Sequence, residues 1–218
     1  LIQLIGVKTY SDGGILSGSS YMLEPWGINE LYQISDPLYR GKLFNTSERL
    51  AEMIIAAVNE GLQFTSHAVG DGAVNEVVEA YVEAAKSVPV KGSRASVTHS
   101  NFMSAYAIEN MAELDIVADV QPFWLYLDSN ALISHFGYDR LRYFQPLQSL
   151  FNAGVVVAGG SDHWLAEDPN NATNPFNPFL GMWIAMKREA RYVDEAIYPE
   201  ESLNLQQALQ MYTLNAAY

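Results

Sequence analysis

Over residues 61–85 the sequence GLQFTSHAVGDGAVNEVVEAYVEAA changes its hydrophobic period once, and the change falls at a histidine. Leu62, Phe64 and Ser66 alternate with Gln63 and Thr65 over the length of one strand, whereas Val74, Val77, Val78, Tyr81, Val82 and Ala85 recur with helical spacing. His67 therefore stands at the C-terminal end of a strand. Gly70, Asp71 and Gly72 supply the turn, and the Asp71 side chain is suited to cap the helix that follows. Strand, polar loop and helix in succession form the unit whose strand C-termini carry the active sites of parallel α/β folds. A single histidine in this place is more often a hydrogen-bonded structural residue than a ligand, so the rest of the sequence has to decide.

The same rhythm recurs along the chain. Residues 1–9 (LIQLIGVKT) read as a buried strand ending near Lys8, Tyr10 and Asp12, and an irregular excursion over about 11–45, rich in Gly, Ser, Pro and aromatics, could pack as a lid or wall. Thr46 or Ser47 then caps a helix burying Leu50, Met53, Ile54, Ala57 and Val58, with Gly61 at its C′ position. Residues 94–99 (RASVTH) form another short strand ending in His99, Ser104 opens a helix with Ile108, Met111 and Ala112, and residues 116–120 (IVADV) make a strand stopped by Pro122. Pro146 suits the first turn of a helix using Leu147, Leu150 and Phe151, and residues 155–158 (VVVA) lead into Gly159-Gly160-Ser161-Asp162-His163. Asn204 and Gln207, in capping-box spacing, open a last helix with Leu205, Ala208, Leu209 and Tyr212 on one face. With no flexible linker or charge block, this order predicts one α/β domain over residues 1–218.

Composition narrows the function. A formal charge of −13 with only 12 Lys and Arg argues against a nucleic-acid partner, which needs clustered cations. No apolar run approaches the roughly 18 residues that cross a bilayer, and no secretory signal is visible, although the chain begins at Leu1 and reads as a fragment or processed piece. The expectation is a soluble protein, cytoplasmic or exported, with no membrane partner. With no cysteine, any metal must be held by His, carboxylate or modified Lys.

The decisive observation is positional: the strand ends carry Lys8, His67, His99 and Asp162, all on one side of a parallel sheet. A structural role explains either histidine singly but not the recurrence, and imidazole with carboxylate suits zinc and related divalent ions. Lys8 leaves two readings open. It is an ordinary lysine, ion-paired or with its head at the surface, or it is carbamylated by CO2 and so becomes a carboxylate able to bridge two cations. His135 reads as a surface residue in a loop. Trp124 and Tyr126 serve equally well as a substrate wall or as core. The Gly70-Asp71-Gly72 turn lacks the longer glycine pattern and the lysine of a phosphate loop.

The segments GVKTYSDGG, QFTSHAVGDGAVNEVVEAY, a Thr-His-Ser strand end, VADVQPFWLY, AGVVVAGGSDHW and ALQMYTLNAAY together resemble the amidohydrolase superfamily, in its YtcJ-like amidohydrolase 3 branch. The similarity runs through nearly the whole chain, and its most specific pieces are His-Ala-x-Gly-Asp and Gly-Ser-Asp-His. The resemblance implies a distorted (β/α)8 barrel with one or two divalent metals, zinc by expectation, activating water to hydrolyse an amide or related C–N bond. It also implies that Lys8 is the carboxylated bridging lysine, that His67 and His99 are metal ligands, and that Asp162 touches metal and shuttles the proton. Gln121, Trp124 and His163 would line the substrate side for a small amide.

The departures are as informative. A complete member carries a His-x-His pair on its first strand, and this chain has no histidine before His67. Against that resemblance the first three βα units and a flanking β-sandwich are expected to lie outside this sequence, which would leave about five of eight strands as a partial TIM barrel. Open sheet edges and uncovered apolar surface would favour a homo-oligomer or association with the missing N-terminal part. Asp115 stands where the family has glycine, a change that a left-handed conformation tolerates. The alternative to a hydrolase is a non-catalytic fragment or regulator that retains the amidohydrolase fold.

Overall fold

The computed structural model describes residues 2–163 and 176–218. Along the chain run β1 (Gly6–Tyr10), α1 (Ser47–Asn59), β2 (Gln63–Ala68), α2 (Asp71–Ala84), β3 (Ser96–His99), α3 (Ala105–Glu113) and β4 (Val117–Val120). They are followed by α4 (Phe123–Phe136), α5 (Leu147–Ala153), β5 (Val157–Gly159), α6 (Pro178–Lys187) and α7 (Leu205–Tyr212). The parallel strands form one sheet in the order β1-β2-β3-β4-β5. Neighbours in the sheet are neighbours in sequence, as a βα repeat requires, and this is the part-barrel α/β architecture expected from the sequence. Among the described residues no helix is long and apolar enough to cross a membrane. The structure falls into two compact units, Leu1–Ala118 and Asp119–Tyr218.

In the first unit, strand alternation sorts β2 into two faces. Phe64, Ser66 and Ala68 are buried, while Gln63, Thr65 and His67 are half-buried on the opposite face. The buried layer is supplied by Leu50, Ala51, Ile54 and Ala57 of α1 and by Val74, Val77, Val78 and Tyr81 of α2, which pack on each other and on β2. Tyr81 ties strands together from this layer. Its fully buried hydroxyl donates to the Phe64 carbonyl at 2.8 Å and lies 3.2 Å from that of Ser96, and burial drives its pKa up. At the ends of the helices the expected signals recur in part. Gly61 follows α1 with φ +70, Ser104 accepts from the Ala107 N–H at 3.1 Å, and Asp115 is left-handed at φ 56. The N-cap of α2, however, is Gly70, and Asp71 sits in the first turn, where its Oδ1 accepts the N–H groups of Gly72 at 2.9 Å and Leu23 at 2.7 Å.

The excursion between β1 and α1 has its own small core of Ile15, Met22, Trp26 and Ile34. It rests on the start of α2 so closely that a Cβ on Gly70 would lie 2.0 Å from the Tyr21 carbonyl oxygen, which leaves glycine as the residue that fits. The expected buried strand over 1–9 is shorter and more exposed than its composition predicts. β1 starts at Gly6, Ile2, Leu4, Ile5 and Val7 are exposed, and Leu1 lies outside the described residues. β1 is first in the sheet order and, among the described residues, has a strand on one side only.

In the second unit α4 starts directly after Pro122 and buries Phe123, Leu125, Asp128, Ser129 and Leu132. His135 lies in its last turn, not in the loop expected for it; the helix is apolar over most of its circumference, so its sequence shows no clean helical period. Arg188 closes α6 in a left-handed conformation, φ 52, with its guanidinium fully buried. The guanidinium donates to the carbonyls of Gln145 at 2.8 Å, Phe144 at 3.0 Å and Ile197, and burial pushes its pKa down to about 10. α7 is opened by the expected capping box, in which Asn204 and Gln207 each accept the other's backbone N–H at 2.9 Å.

Candidate metal centre

Strand register sets the site. β1 and β2 pair Lys8 with Thr65 and Tyr10 with His67, and β2 and β3 pair His67 with Thr98 and Ala68 with His99. Thr65 and Thr98 share a 3.0 Å hydroxyl hydrogen bond on the His67 face. By register alone His99 would follow Ala68 to the helix-covered side, away from His67. The backbone corrects this: His99 has φ 81 and Ser100 φ 47, a pair of left-handed residues that ends the strand and swings the imidazole across. The rings of His67 and His99 meet edge to face with centroids 4.6 Å apart. On the other side the Tyr10 ring lies 4.9 Å from that of His67, and the Lys8 Nζ sits 5.8 Å from the Tyr10 centroid. Lys8, Tyr10, His67 and His99 thus form a row along one end of the sheet, with Lys8 exposed.

Asp12, named in the sequence at the end of the first strand but given no role there, lies beside His67. Asp12 is fully buried; its Oδ2 accepts the N–H groups of Tyr21 and Gly70, each at 2.9 Å, and its Oδ1 accepts that of Val69 at 3.0 Å. The same Oδ1 is 3.3 Å from His67 Nδ1. That nitrogen is buried and makes no aligned hydrogen bond among the described residues, so the proximity is electrostatic and not a directed bond.

The remaining predicted residues lie in the second unit. Asp162 follows β5, exposed, with φ 48, and the strand end before it is held by the Gly160 N–H donating to the Val120 carbonyl at 2.9 Å. His163 meets the Phe176 ring edge-on at 5.3 Å. Gln121 is buried; its Nε2 lies 3.2 Å from Asp119 Oδ1, and its carbonyl accepts from Gln145 Nε2 at 2.8 Å. Trp124 is half-buried in the first turn of α4, and Trp164 lies outside the described residues. Asp119 was missed in the sequence, although a carboxylate at the penultimate position of a strand, 3.8 Å from where a Cβ on Gly160 would sit, is the kind of signal that alternation can flag.

Two imidazoles in edge contact, one with a buried and unbonded nitrogen, fit part of a divalent-metal shell. Among the described residues, no three His, Asp or Glu side chains gather closely enough to hold an ion by themselves.

The whole chain is similar to known proteins. The chain is 29% identical over 217 residues to the protein LONG AFTER FAR-RED 3 of Arabidopsis thaliana, covering 99% of this chain and 35% of that one. It is 27% identical over 218 residues to YtcJ of Bacillus subtilis (strain 168), covering 99% and 38%. The chain therefore spans well under half the length of these relatives. Its fold matches the crystal structure of an uncharacterised metal-dependent hydrolase from Pyrococcus horikoshii with a TM-score of 0.75 at 19% identity, over 98% of this chain and 40% of that one. The sequence model of the amidohydrolase family matches residues 2–218, and the chain belongs to that family, in its amidohydrolase 3 branch.

Proposed function

We propose that the protein carrying this chain hydrolyses the C–N bond of a small amide, with His67 and His99 holding a divalent metal, zinc first among the candidates. The observation that carries the reading is the edge-to-face pair of strand-end histidines backed by the buried Asp12 carboxylate. Bound there, the metal would supply a Lewis acid that polarises a carbonyl and makes water more acidic. The chain's own residues do the rest. Asp162, exposed on its loop, takes a proton from the attacking water and returns it to the leaving nitrogen, while Gln121, Trp124 and His163 bound the substrate. Lys8 enters the ligand set only as a carbamate, since its ammonium cannot bind a cation. Its exposed amine on the face of Tyr10 is open to CO2.

A second reading, a non-catalytic chain that keeps the amidohydrolase fold, draws on the absence of a three-ligand cluster among the described residues. One experiment separates the two. Metal-stripped protein is reloaded with Zn²⁺, Mn²⁺ or Co²⁺ and assayed against a panel of N-acyl and N-formyl amines, beside His67→Ala, His99→Ala and Asp162→Asn. Metal-dependent hydrolysis that falls at least about a hundredfold in each variant supports catalysis. Hydrolysis indifferent to metal or to these substitutions sinks it, and metal uptake without turnover of any amide favours the second reading. The exposed apolar residues of β1 and the segment before it would be where a second copy or a further segment adds to the sheet.

A further inference from the structure

Asp12 stands behind His67 in the proposed site, and the way its carboxylate is held says what it does there. Its two oxygens take three backbone N–H groups, two from Val69 and Gly70 immediately past His67 and one from Tyr21 in the excursion. The remaining approach to Oδ1 is filled by the His67 imidazole, with Nδ1 at 3.3 Å. Nearby, Ser11 reinforces the crossing without touching the ring: its N–H donates to the His67 carbonyl at 2.9 Å, and its hydroxyl meets that of Ser66 at 2.7 Å. Three N–H donors neutralise much of the cost of burying a carboxylate and leave it no rotational freedom. A charge so fixed can orient an imidazole and favour a cation on it, the function that outer-shell carboxylates serve for metal-binding histidines.

We propose that Asp12 is the positioning residue of the His67–His99 pair, setting the His67 ring and the cation affinity of the site through its carboxylate; this rests on the reading of His67 as a metal ligand. Substitution by Asn keeps the size but turns one accepting oxygen into a donor and removes the charge. The test uses the full chain, with Asp12→Asn compared against Ser11→Ala, which loosens the same crossing while leaving the carboxylate in place. Two quantities are read: the ring-nitrogen chemical shifts of the chain's four histidines in metal-free protein, and the zinc affinity by competition with a chromophoric chelator.

The proposal expects Asp12→Asn to shift the His67 ring nitrogens while those of His135 and His163 stay in place, and to weaken zinc binding about 10–100-fold. Ser11→Ala should do neither at temperatures where both variants are folded by circular dichroism. Equal weakening of zinc by the two variants would mean that Asp12 only holds the loop, and the proposal would fall. If the unsubstituted protein takes up no zinc, the functional reading fails, and the ring nitrogens decide Asp12 alone: unmoved in Asp12→Asn, they overturn its role.

Discussion

Asp128 offers a test of the structure that is independent of any metal. It lies on the buried side of α4 among Leu125, Ser129 and Leu132, and burial raises its pKa from the usual 3.8 to about 7. Folding therefore strengthens proton binding at this carboxyl. Its contribution to stability is fully present below the unfolded-state pKa and is lost as pH rises through about 7. A rise from 3.8 to about 7 corresponds to about 4 kcal/mol, at 1.36 kcal/mol for each tenfold change in proton affinity. Asp128→Asn cannot ionise, so its stability should be flat where the parent's declines. Urea unfolding followed by circular dichroism at pH 5, 6, 7 and 8 measures both. The variant should exceed the parent by about 1–2 kcal/mol at pH 5 and by about 4 kcal/mol at pH 8, the gap widening in between and levelling off above pH 7. Parallel pH profiles for the two proteins would show that the carboxyl is not buried as described.

Two further substitutions probe the layers around the sheet. Tyr81→Phe removes the buried hydroxyl that reaches the carbonyls of Phe64 and Ser96, and should lower unfolding free energy by about 1–3 kcal/mol without changing secondary structure. An unchanged denaturation midpoint would mean that water reaches those carbonyls. Gly181→Ala places a Cβ 1.9 Å from the Tyr212 hydroxyl oxygen and 2.7 Å from the ring carbon that bears it, so the Tyr212 side chain or a helix must move. Overpacking of this kind costs about 1–3 kcal/mol, which a thermal melt would register as a drop of several degrees.

What the sequence disclosed depended on how local each signal was. The β2–α2 junction was readable because its alternation and its helical period sit side by side, and the capping box of α7 because both partners lie within four residues. α4 and α6 were missed: FWLYLDSNALISHF and PFLGMWIAMK are apolar nearly all round, so neither has a face for periodicity to find. That loss moved His135 from helix to loop. At the site, the two histidines were legible as strand ends, but their meeting was not. It depends on the left-handed conformation of His99 and Ser100, which the Thr-His-Ser sequence does not announce. Asp12 was hidden for the opposite reason. Before a pair of glycines it reads as an ordinary turn residue, while two of its three backbone partners, Val69 and Gly70, lie more than fifty residues away.

The central claim is that His67 and His99 act together on one cation. Calorimetric titration of Zn²⁺ into metal-stripped protein, with His67→Ala, His99→Ala and His135→Ala beside it, tests that directly. Either strand-end substitution should weaken binding by more than the roughly 10–100-fold typical of outer-shell changes, while His135→Ala binds as the parent does. Zinc bound with the parent's affinity in both His67→Ala and His99→Ala would contradict the account.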